Sequence, residues 1–163
     1  MSQNRPFNFM KYPDIYKAMA GLGAGFEHST LEHALIELVK LRASQINGCG
    51  FCVDMHSKDA RLEGETEQRL YLLSVWREAP GLYSDRERAA LAWAEAVTKL
   101  ENQQVPDAVY EQAHAVFSDE ELARLTLVVV AINGWNRFNI AFHVPAGNYQ
   151  AGSLKAMRQA SQK

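Results

Sequence analysis

Three short polar signatures divide this sequence into helical segments. Each is a serine followed three residues later by a glutamate, a pairing in which both side chains satisfy free N–H groups at a helix start. They are Ser29 with Glu32, Ser84 with Glu87, and Ser118 with Glu121. Apolar residues follow each signature at spacings of three and four, as on the buried face of a helix. Because no convincing alternation of apolar and polar residues favours strands, the sequence predicts an all-α fold.

The first of these segments, over roughly residues 31–46, is apolar around much of the predicted helix. Such a helix is expected to be buried on more than one side. Three valines, Val128 to Val130, could form a strand by themselves, since β-branched residues favour extended chain. They lie inside a longer pattern that also places Leu122, Leu125 and Ile132 at helical spacing. We therefore expect a helix there too.

Size and composition favour a single-domain helical bundle of about six to eight helices over residues 1–163. The chain has 163 residues, of which 47% are hydrophobic and 22% charged, and this is typical of one globular domain. Residues 1–13 are predicted to form an irregular N-terminal arm, and residues 148–163 a polar tail. No linker and no internal repeat interrupts the rest, so we expect one domain.

The charge and hydropathy patterns argue against nucleic acid and membrane as partners. A net charge of −2 gives no electrostatic reason for binding nucleic acid or an anionic lipid surface. The most apolar run, Leu125 to Ile132, is far shorter than the roughly 20 residues that span a bilayer. The N-terminus does not resemble a signal peptide. The sequence therefore predicts a cytoplasmic protein.

The residues with reactive side chains are concentrated in one stretch, from Glu37 to His56. Both cysteines of the chain are here, as the Cys-x-x-Cys pair Cys49 and Cys52, and His56 follows Cys52 by four residues. With Asn47-Gly48 ending one helix and Cys49 opening the next, the two cysteines and His56 share one helix face. Free N–H groups at a helix start stabilise a thiolate, the reactive form of cysteine. This arrangement is typical of a thiol–disulfide redox pair.

Glu37 is the acidic residue of this stretch. It lies between Ile36 and Leu38 in a largely apolar helix, where a carboxyl tends towards a raised pKa and can exchange protons near neutral pH. The alternative is an ordinary surface pair with Lys40 at i, i+3. Helical spacing alone leaves both open, because the Asn47-Gly48 corner sets the angle between the two helices.

A zinc site is the competing chemistry. Cys49, Cys52 and His56 supply three possible ligands, whereas a structural zinc site normally has four. The chain has no further cysteine and no second ligand pair, so zinc ranks below redox chemistry and we predict neither a metal nor another cofactor. A thioredoxin fold is not expected either, because no βαβ pattern flanks the cysteines.

The order and spacing of Glu37, Cys49, Cys52 and His56 resemble the signature of the alkylhydroperoxidase D-like family, within the carboxymuconolactone decarboxylase superfamily. The stretch from Ile132 to Asn136 extends the resemblance over nearly the whole chain. The resemblance implies an oligomeric, all-α, cofactor-free thiol peroxidase. Its members assemble as trimers or hexamers, and an external dithiol or disulfide reductase returns the cysteines to the reduced state.

The resemblance also implies a role for each site residue. Cys52 would be the peroxidatic cysteine that attacks an alkyl hydroperoxide, and Cys49 the resolving cysteine. Glu37 and His56 would form the proton relay. In thioredoxin-like motifs the first cysteine is the nucleophile, and the physics of a helix start favours either one.

One position departs from the family pattern. Well-known members carry a second histidine immediately before the peroxidatic cysteine, and this chain has Phe51. The resemblance therefore leaves room for weak peroxidase activity or for another electrophile, in a pocket lined by Phe51 and Trp135. Two alternatives stand beside the peroxidase: a redox sensor or scaffold without turnover, and a carboxymuconolactone decarboxylase-like enzyme, which works without redox cysteines.

Overall fold

The computed structural model covers Arg5 and residues 8–154, except for the side chain of Met10. Over these residues the chain forms seven α-helices and no strand, which confirms the predicted all-α fold. The helices are α1 (Pro13–Ala24), α2 (His33–Asn47), α3 (Gly50–Leu62), α4 (Glu67–Leu72), α5 (Asp85–Lys99), α6 (Asp107–His114) and α7 (Asp119–Ala141). Three short 3-10 helices accompany them: Phe9–Lys11, Leu73–Glu78 and Glu101–Gln103.

The predicted arm and tail are only partly covered by the structure. Phe9–Lys11 form a short 3-10 helix within the arm that was predicted to be irregular. Residues 1–4, 6–7 and 155–163 lie outside the described residues, and so do the corresponding parts of the predicted arm and tail. Among the described helices, none combines the length and the apolar character that crossing a bilayer requires.

Two of the three predicted helix starts are confirmed. Ser84 caps α5 and Ser118 caps α7, each through a complete capping box with the glutamate three residues later. The prediction for Ser29 is wrong, because α2 begins only at His33 and has no side-chain cap. The Ser29 hydroxyl donates instead to the Phe26 carbonyl at 2.7 Å, which closes the turn before the helix.

The core surrounds α2 on two sides. Leu35, Ile36 and Val39 belong to one hydrophobic cluster, which includes residues of α5 and α7. Leu38 and Leu41 belong to a second cluster with Leu73, Trp76 and Leu91. The prediction that α2 is buried on more than one side is therefore confirmed, and the same burial fixes the helix that carries Glu37.

The corner between α2 and α3 is a tight left-handed turn at Gly48, whose φ is 70°. A residue without a Cβ adopts this conformation at little cost. The Cys49 N–H donates to the Ser44 carbonyl at 3.0 Å across the corner. Cys49 then occupies the N-cap of α3, and α7 packs against both α2 and α3. The two cysteines consequently lie between the corner and α7.

Candidate active site

The two cysteines form a close, fully buried pair of free thiols. Cys49 precedes the first turn of α3 and Cys52 lies within it, and their Sγ atoms are 2.7 Å apart. Relative exposure is 1% for Cys49 and 0% for Cys52. At this separation a disulfide needs little movement of the backbone. The predicted proximity of the pair is present in the structure.

Two asparagines of α7, Asn136 and Asn139, lie beside the cysteine pair. The Asn139 Nδ2 donates to the Cys52 Sγ at 3.2 Å. Asn136 is completely buried, and its amide donates to the Ser44 hydroxyl at 3.0 Å and accepts from Asn47 at 2.8 Å. The sequence analysis missed Asn139 and noticed Asn136 only within the family resemblance. Asparagine recurs at every third position of α7 from Asn133 to Asn139, and this spacing is the signal that could have indicated them.

Glu37 and His56 meet in the space between α2 and α3. The His56 Nδ1 lies 2.8 Å from the Glu37 Oε2, and both residues are 7% exposed. The other carboxylate oxygen of Glu37 accepts from the Lys40 Nζ at 2.9 Å. The pair with Lys40 is therefore present but buried rather than on the surface, and the same carboxylate also contacts the histidine of the next helix.

The expected rise in the pKa of Glu37 is wrong. Burial does oppose ionisation of this carboxyl, but the positive charges of His56 and Lys40 and their hydrogen bonds hold its pKa well below the usual range. A carboxylate with two charged partners stays ionised in a buried site. Glu37 is therefore a fixed negative charge that orients the His56 ring and leaves Nε2 as the ring nitrogen available for proton exchange.

The thiol pair has an uneven acidity. The hydrogen bond between the two sulfurs lowers the pKa of Cys49 to about 7, although burial acts in the opposite direction. The Cys52 backbone N–H lowers the pKa of Cys49 further. The same hydrogen bond, together with burial, raises the pKa of Cys52, while the Asn139 and Asn136 amides act in the opposite direction. In the resting dithiol the first negative charge consequently falls on Cys49.

A narrow cleft reaches this site from the surface. It has a volume of about 190 Å³ and is lined by Glu37, Ala34, Ala60, Glu63, Gly64, Glu65 and Arg69. Water can therefore approach the carboxylate of Glu37 from the start of α4, while the cysteines face α7. No group of three or more potential metal-binding side chains occurs among the described residues.

The two aromatic residues proposed as pocket walls lie in different places. Phe51 is half-buried and packs edge-on against Tyr149, with ring centroids 6.2 Å apart. Trp135 lies in an aromatic cluster with Phe9 and Tyr16, at centroid distances of 5.2 and 6.0 Å. Phe51 therefore lies in the first turn of α3, next to Cys52, and contacts Tyr149. Trp135 instead lies where α7 packs against α1.

The site is thus a buried dithiol at a helix start, with a carboxylate–histidine pair beside it in an all-α fold. These features are those of a helical thiol-redox protein. The profile of the carboxymuconolactone decarboxylase family matches residues 13–96. The uncharacterised protein YdfG of Bacillus subtilis is 41% identical over 129 residues, which cover 79% of this chain and 87% of YdfG. This chain belongs to the carboxymuconolactone decarboxylase family.

Solved structures place it among the AhpD-like members of that family. A protein of unknown function from Agrobacterium tumefaciens, described as a candidate antioxidant defence protein AhpD, is 44% identical. The match has a TM-score of 0.84 and covers 90% of this chain and 100% of that one. The debrominase Bmp8 shares the fold at 19% identity and a TM-score of 0.74, over 86% of this chain and 75% of Bmp8.

Proposed function

We propose that this protein is a thiol-dependent peroxidase that reduces alkyl hydroperoxides through the Cys49–Cys52 dithiol, in an antioxidant role. The observation that carries the proposal is the buried sulfur pair, 2.7 Å apart, on the helix face that also bears His56. Membership of the family and likeness to the Agrobacterium protein support it. Neither a metal nor an organic cofactor is needed for this chemistry.

In the first step the Cys52 thiolate attacks the terminal oxygen of the hydroperoxide. The O–O bond breaks, the sulfur is oxidised to a sulfenic acid, and the alkoxide leaves with a proton as the alcohol. His56 is the proposed donor of that proton, because the ionised Glu37 holds its Nδ1 and orients the ring. Glu37 acts in this relay by holding charge rather than by carrying the proton itself.

In the second step the Cys49 sulfur attacks the sulfenic sulfur. A Cys49–Cys52 disulfide forms, and hydroxide leaves and takes up a proton to become water. Two thiols and one hydroperoxide thus give one disulfide, one alcohol and one water, with no net proton exchange. An external dithiol, free or on a reductase, returns the disulfide to the reduced state by thiol–disulfide exchange.

The acidity of the pair constrains the order of these steps. The resting charge falls on Cys49, whereas the proposed nucleophile is Cys52. The two sulfurs share a hydrogen bond, so one short proton transfer from Cys52 to Cys49 generates the Cys52 thiolate. Keeping the order of roles that the family resemblance implies, we propose that Cys52 attacks and Cys49 resolves, with that transfer preceding attack.

The test is single-turnover oxidation of the reduced protein. Cumene hydroperoxide or tert-butyl hydroperoxide is mixed with wild type, Cys49→Ser and Cys52→Ser, and the products are mapped by mass spectrometry. We expect a Cys49–Cys52 disulfide in wild type and a sulfenic acid on Cys52 in Cys49→Ser. Steady-state turnover with dithiothreitol as the reductant then distinguishes an enzyme from a protein that oxidises only once.

Three outcomes would contradict the proposal in different ways. A trapped sulfenic acid on Cys49 in Cys52→Ser, with an unreactive Cys52, would reverse the order of roles. Rapid disulfide formation without turnover would favour a redox sensor or scaffold. If the thiols react with the hydroperoxide no faster than free glutathione does, the protein is not a peroxidase. Activity on a small lactone would then favour a decarboxylase-like enzyme.

A further inference from the structure

We propose that Asn139 is a catalytic residue of this site, whose side-chain amide holds the negative charge on Cys52 during attack. The inference rests on the proposed function, in which Cys52 is the nucleophile. In this proposal a residue of α7 stabilises the reacting Cys52 sulfur. The residue immediately before Cys52 is Phe51, which offers no hydrogen bond from its side chain.

The geometry places the Asn139 amide directly on the reacting atom. Its Nδ2 lies 3.2 Å from the Cys52 Sγ, a short distance for an N–H donor to sulfur. Asn139 is 8% exposed and Cys52 is fully buried, so water competes little for either group. A hydrogen bond to an anion is stronger than one to a neutral group, and it strengthens further where the effective dielectric constant is low.

The other groups around Cys52 either carry no hydrogen-bonding atom or have further partners of their own. The Phe51 ring carries no hydrogen-bonding group and packs against Tyr149. The Nδ1 of His56 is held by Glu37. The Asn136 amide also acts on both sulfurs, but it donates to Ser44 and accepts from Asn47, which ties that side chain to the α2–α3 corner. Asn139 donates directly to the Cys52 Sγ and has the larger effect of the two amides on that thiol.

The backbone holds Asn139 in position for this role. Its carbonyl accepts from the Val144 N–H at 2.9 Å, which closes the chain after the end of α7. The side chain therefore projects from a helical turn whose following segment is tied back to it. A donor fixed in this way needs no reorganisation when charge develops on the sulfur, and this is the main source of such stabilisation.

The first experiment measures the Cys52 thiolate without any peroxide. In a Cys49→Ser background, the rate of alkylation by iodoacetamide is followed against pH with Asn139, Asn139→Ala or Asn139→Asp. We expect the midpoint for Cys52 to rise in Asn139→Ala and alkylation at pH 7 to slow about tenfold or more, by analogy with the loss of an oxyanion donor. Asn139→Asp, nearly isosteric but anionic, should slow it further.

The matched control is Asn133→Ala. Asn133 is also an α7 asparagine, with its amide donating to Thr98 and to the Val129 carbonyl. We expect its alkylation midpoint to equal that of the Cys49→Ser parent. Circular dichroism of each variant identifies any that does not fold, and Asn139→Asp preserves the side-chain shape if Asn139→Ala does not.

Rescue distinguishes a role at the sulfur from a role in packing. Adding Phe51→His to Asn139→Ala should recover at least part of the peroxide-dependent oxidation of Cys52, because a histidine then supplies the lost donor. Equal midpoints for Asn139→Ala, Asn139→Asp and the parent would overturn the inference. That result would leave the peroxidase proposal standing, since the latter depends on the disulfide and on turnover in wild type.

Discussion

At the scale of single residues, the site is a set of ionisable groups that lie close together and are almost completely buried. Glu37 is almost fully buried, yet it is ionised because His56 and Lys40 each contribute a hydrogen bond and positive charge. Cys49 and Cys52 share a proton between two sulfurs that differ in acidity. The pKa values of Glu37 and of the two cysteines are therefore shifted from their ordinary values by the groups that these side chains contact.

Replacing Glu37 tests the charge that holds His56. Glu37→Gln keeps the shape but leaves Lys40 and His56 without their shared anion. We expect kcat/KM for a hydroperoxide to fall about tenfold or more, as for loss of acid–base assistance. The free energy of unfolding should fall by about 3 kcal/mol, typical of breaking a buried ion pair. Steady-state kinetics and urea denaturation measure the two effects.

Its control is Glu63→Gln, which removes the partner of the exposed His33. That change should cost less than about 1 kcal/mol, as for surface pairs. A loss of the same size in both variants would mean that Glu37 contributes no more than a surface carboxylate does.

The pH dependence of stability follows from the lowered pKa of Glu37. A depressed folded-state pKa contributes stability above the ordinary carboxyl pKa of about 4.3, and this stability is lost as the pH falls towards the folded-state pKa. The difference in unfolding free energy between wild type and Glu37→Gln should therefore shrink as the pH falls below about 5. A difference that grows on acidification would contradict the low pKa.

The acidity of Cys49 is predicted to depend on its partner. In the reduced wild type, alkylation of Cys49 should have a midpoint near its pKa of about 7. In Cys52→Ala the hydrogen bond is lost, and the midpoint should rise towards the ordinary thiol pKa of about 8.5. Rates of iodoacetamide modification against pH, resolved by mass spectrometry, measure both. An unchanged midpoint would assign the acidity to the helix start instead.

At the scale of elements, α3 is held on both faces. Its inner face carries the cysteines and His56 against α2 and α7. Its outer face binds the segment of residues 147–152 through side chains. Asp54 accepts from the Gly147 N–H at 2.9 Å, Lys58 donates to the Tyr149 carbonyl at 3.0 Å, and Asp59 accepts from the Tyr149 hydroxyl at 2.9 Å. This segment also brings Tyr149 against Phe51, next to the nucleophile.

Removing one of these contacts should loosen the segment without unfolding the bundle. In Asp54→Ala the backbone N–H groups of Gly147 and Tyr149 lose their acceptor, so their hydrogen exchange should become faster. Exchange of the buried amides of α2 should not change. The control is Asp107→Ala, which removes an exposed acidic residue from α6. Unchanged protection of Gly147 and Tyr149 would show that Asp54 does not hold the segment.

At the scale of the whole molecule, one apolar surface is left without a described partner. Leu62 is 65% exposed and Tyr71 is 72% exposed, at the rim of a groove of about 590 Å³ between α2, α3 and α4. Exposed apolar residues that cluster in this way are typical of contact surfaces between proteins. We therefore predict that this groove is a contact surface of the trimer or hexamer expected from the sequence.

Light scattering after gel filtration measures this prediction. We expect a mass three or six times that of the 18.3 kDa chain. Tyr71→Glu should lower the mass while circular dichroism is unchanged, because a charge in an apolar contact is costly. Leu100→Glu, at an exposed site after α5, should leave the mass unchanged. A monomer at every concentration would contradict the oligomeric expectation.

What could be predicted from the sequence is what depends on near neighbours in the chain. The capping boxes of Ser84 and Ser118 lie within three residues, and the shared face of Cys49, Cys52 and His56 within one helix. The valines from Val128 are helical because the spacing around them outweighs their preference for strands. Such features follow from local hydrogen bonds and helical periodicity, so they can be read from one segment at a time.

Only the tertiary structure decided the features that depend on distant neighbours. Asn139 reaches Cys52 across 87 residues of sequence, and this contact exists because α7 packs against α3. The ionised state of Glu37 required His56, 19 residues away across the Gly48 corner, to lie 2.8 Å from its carboxylate. Electrostatic energy depends on distance in space and on the exclusion of water, neither of which the spacing of residues along the chain contains. The sequence by itself therefore determined which groups this site has, and the packing of the helices decided their charges and contacts.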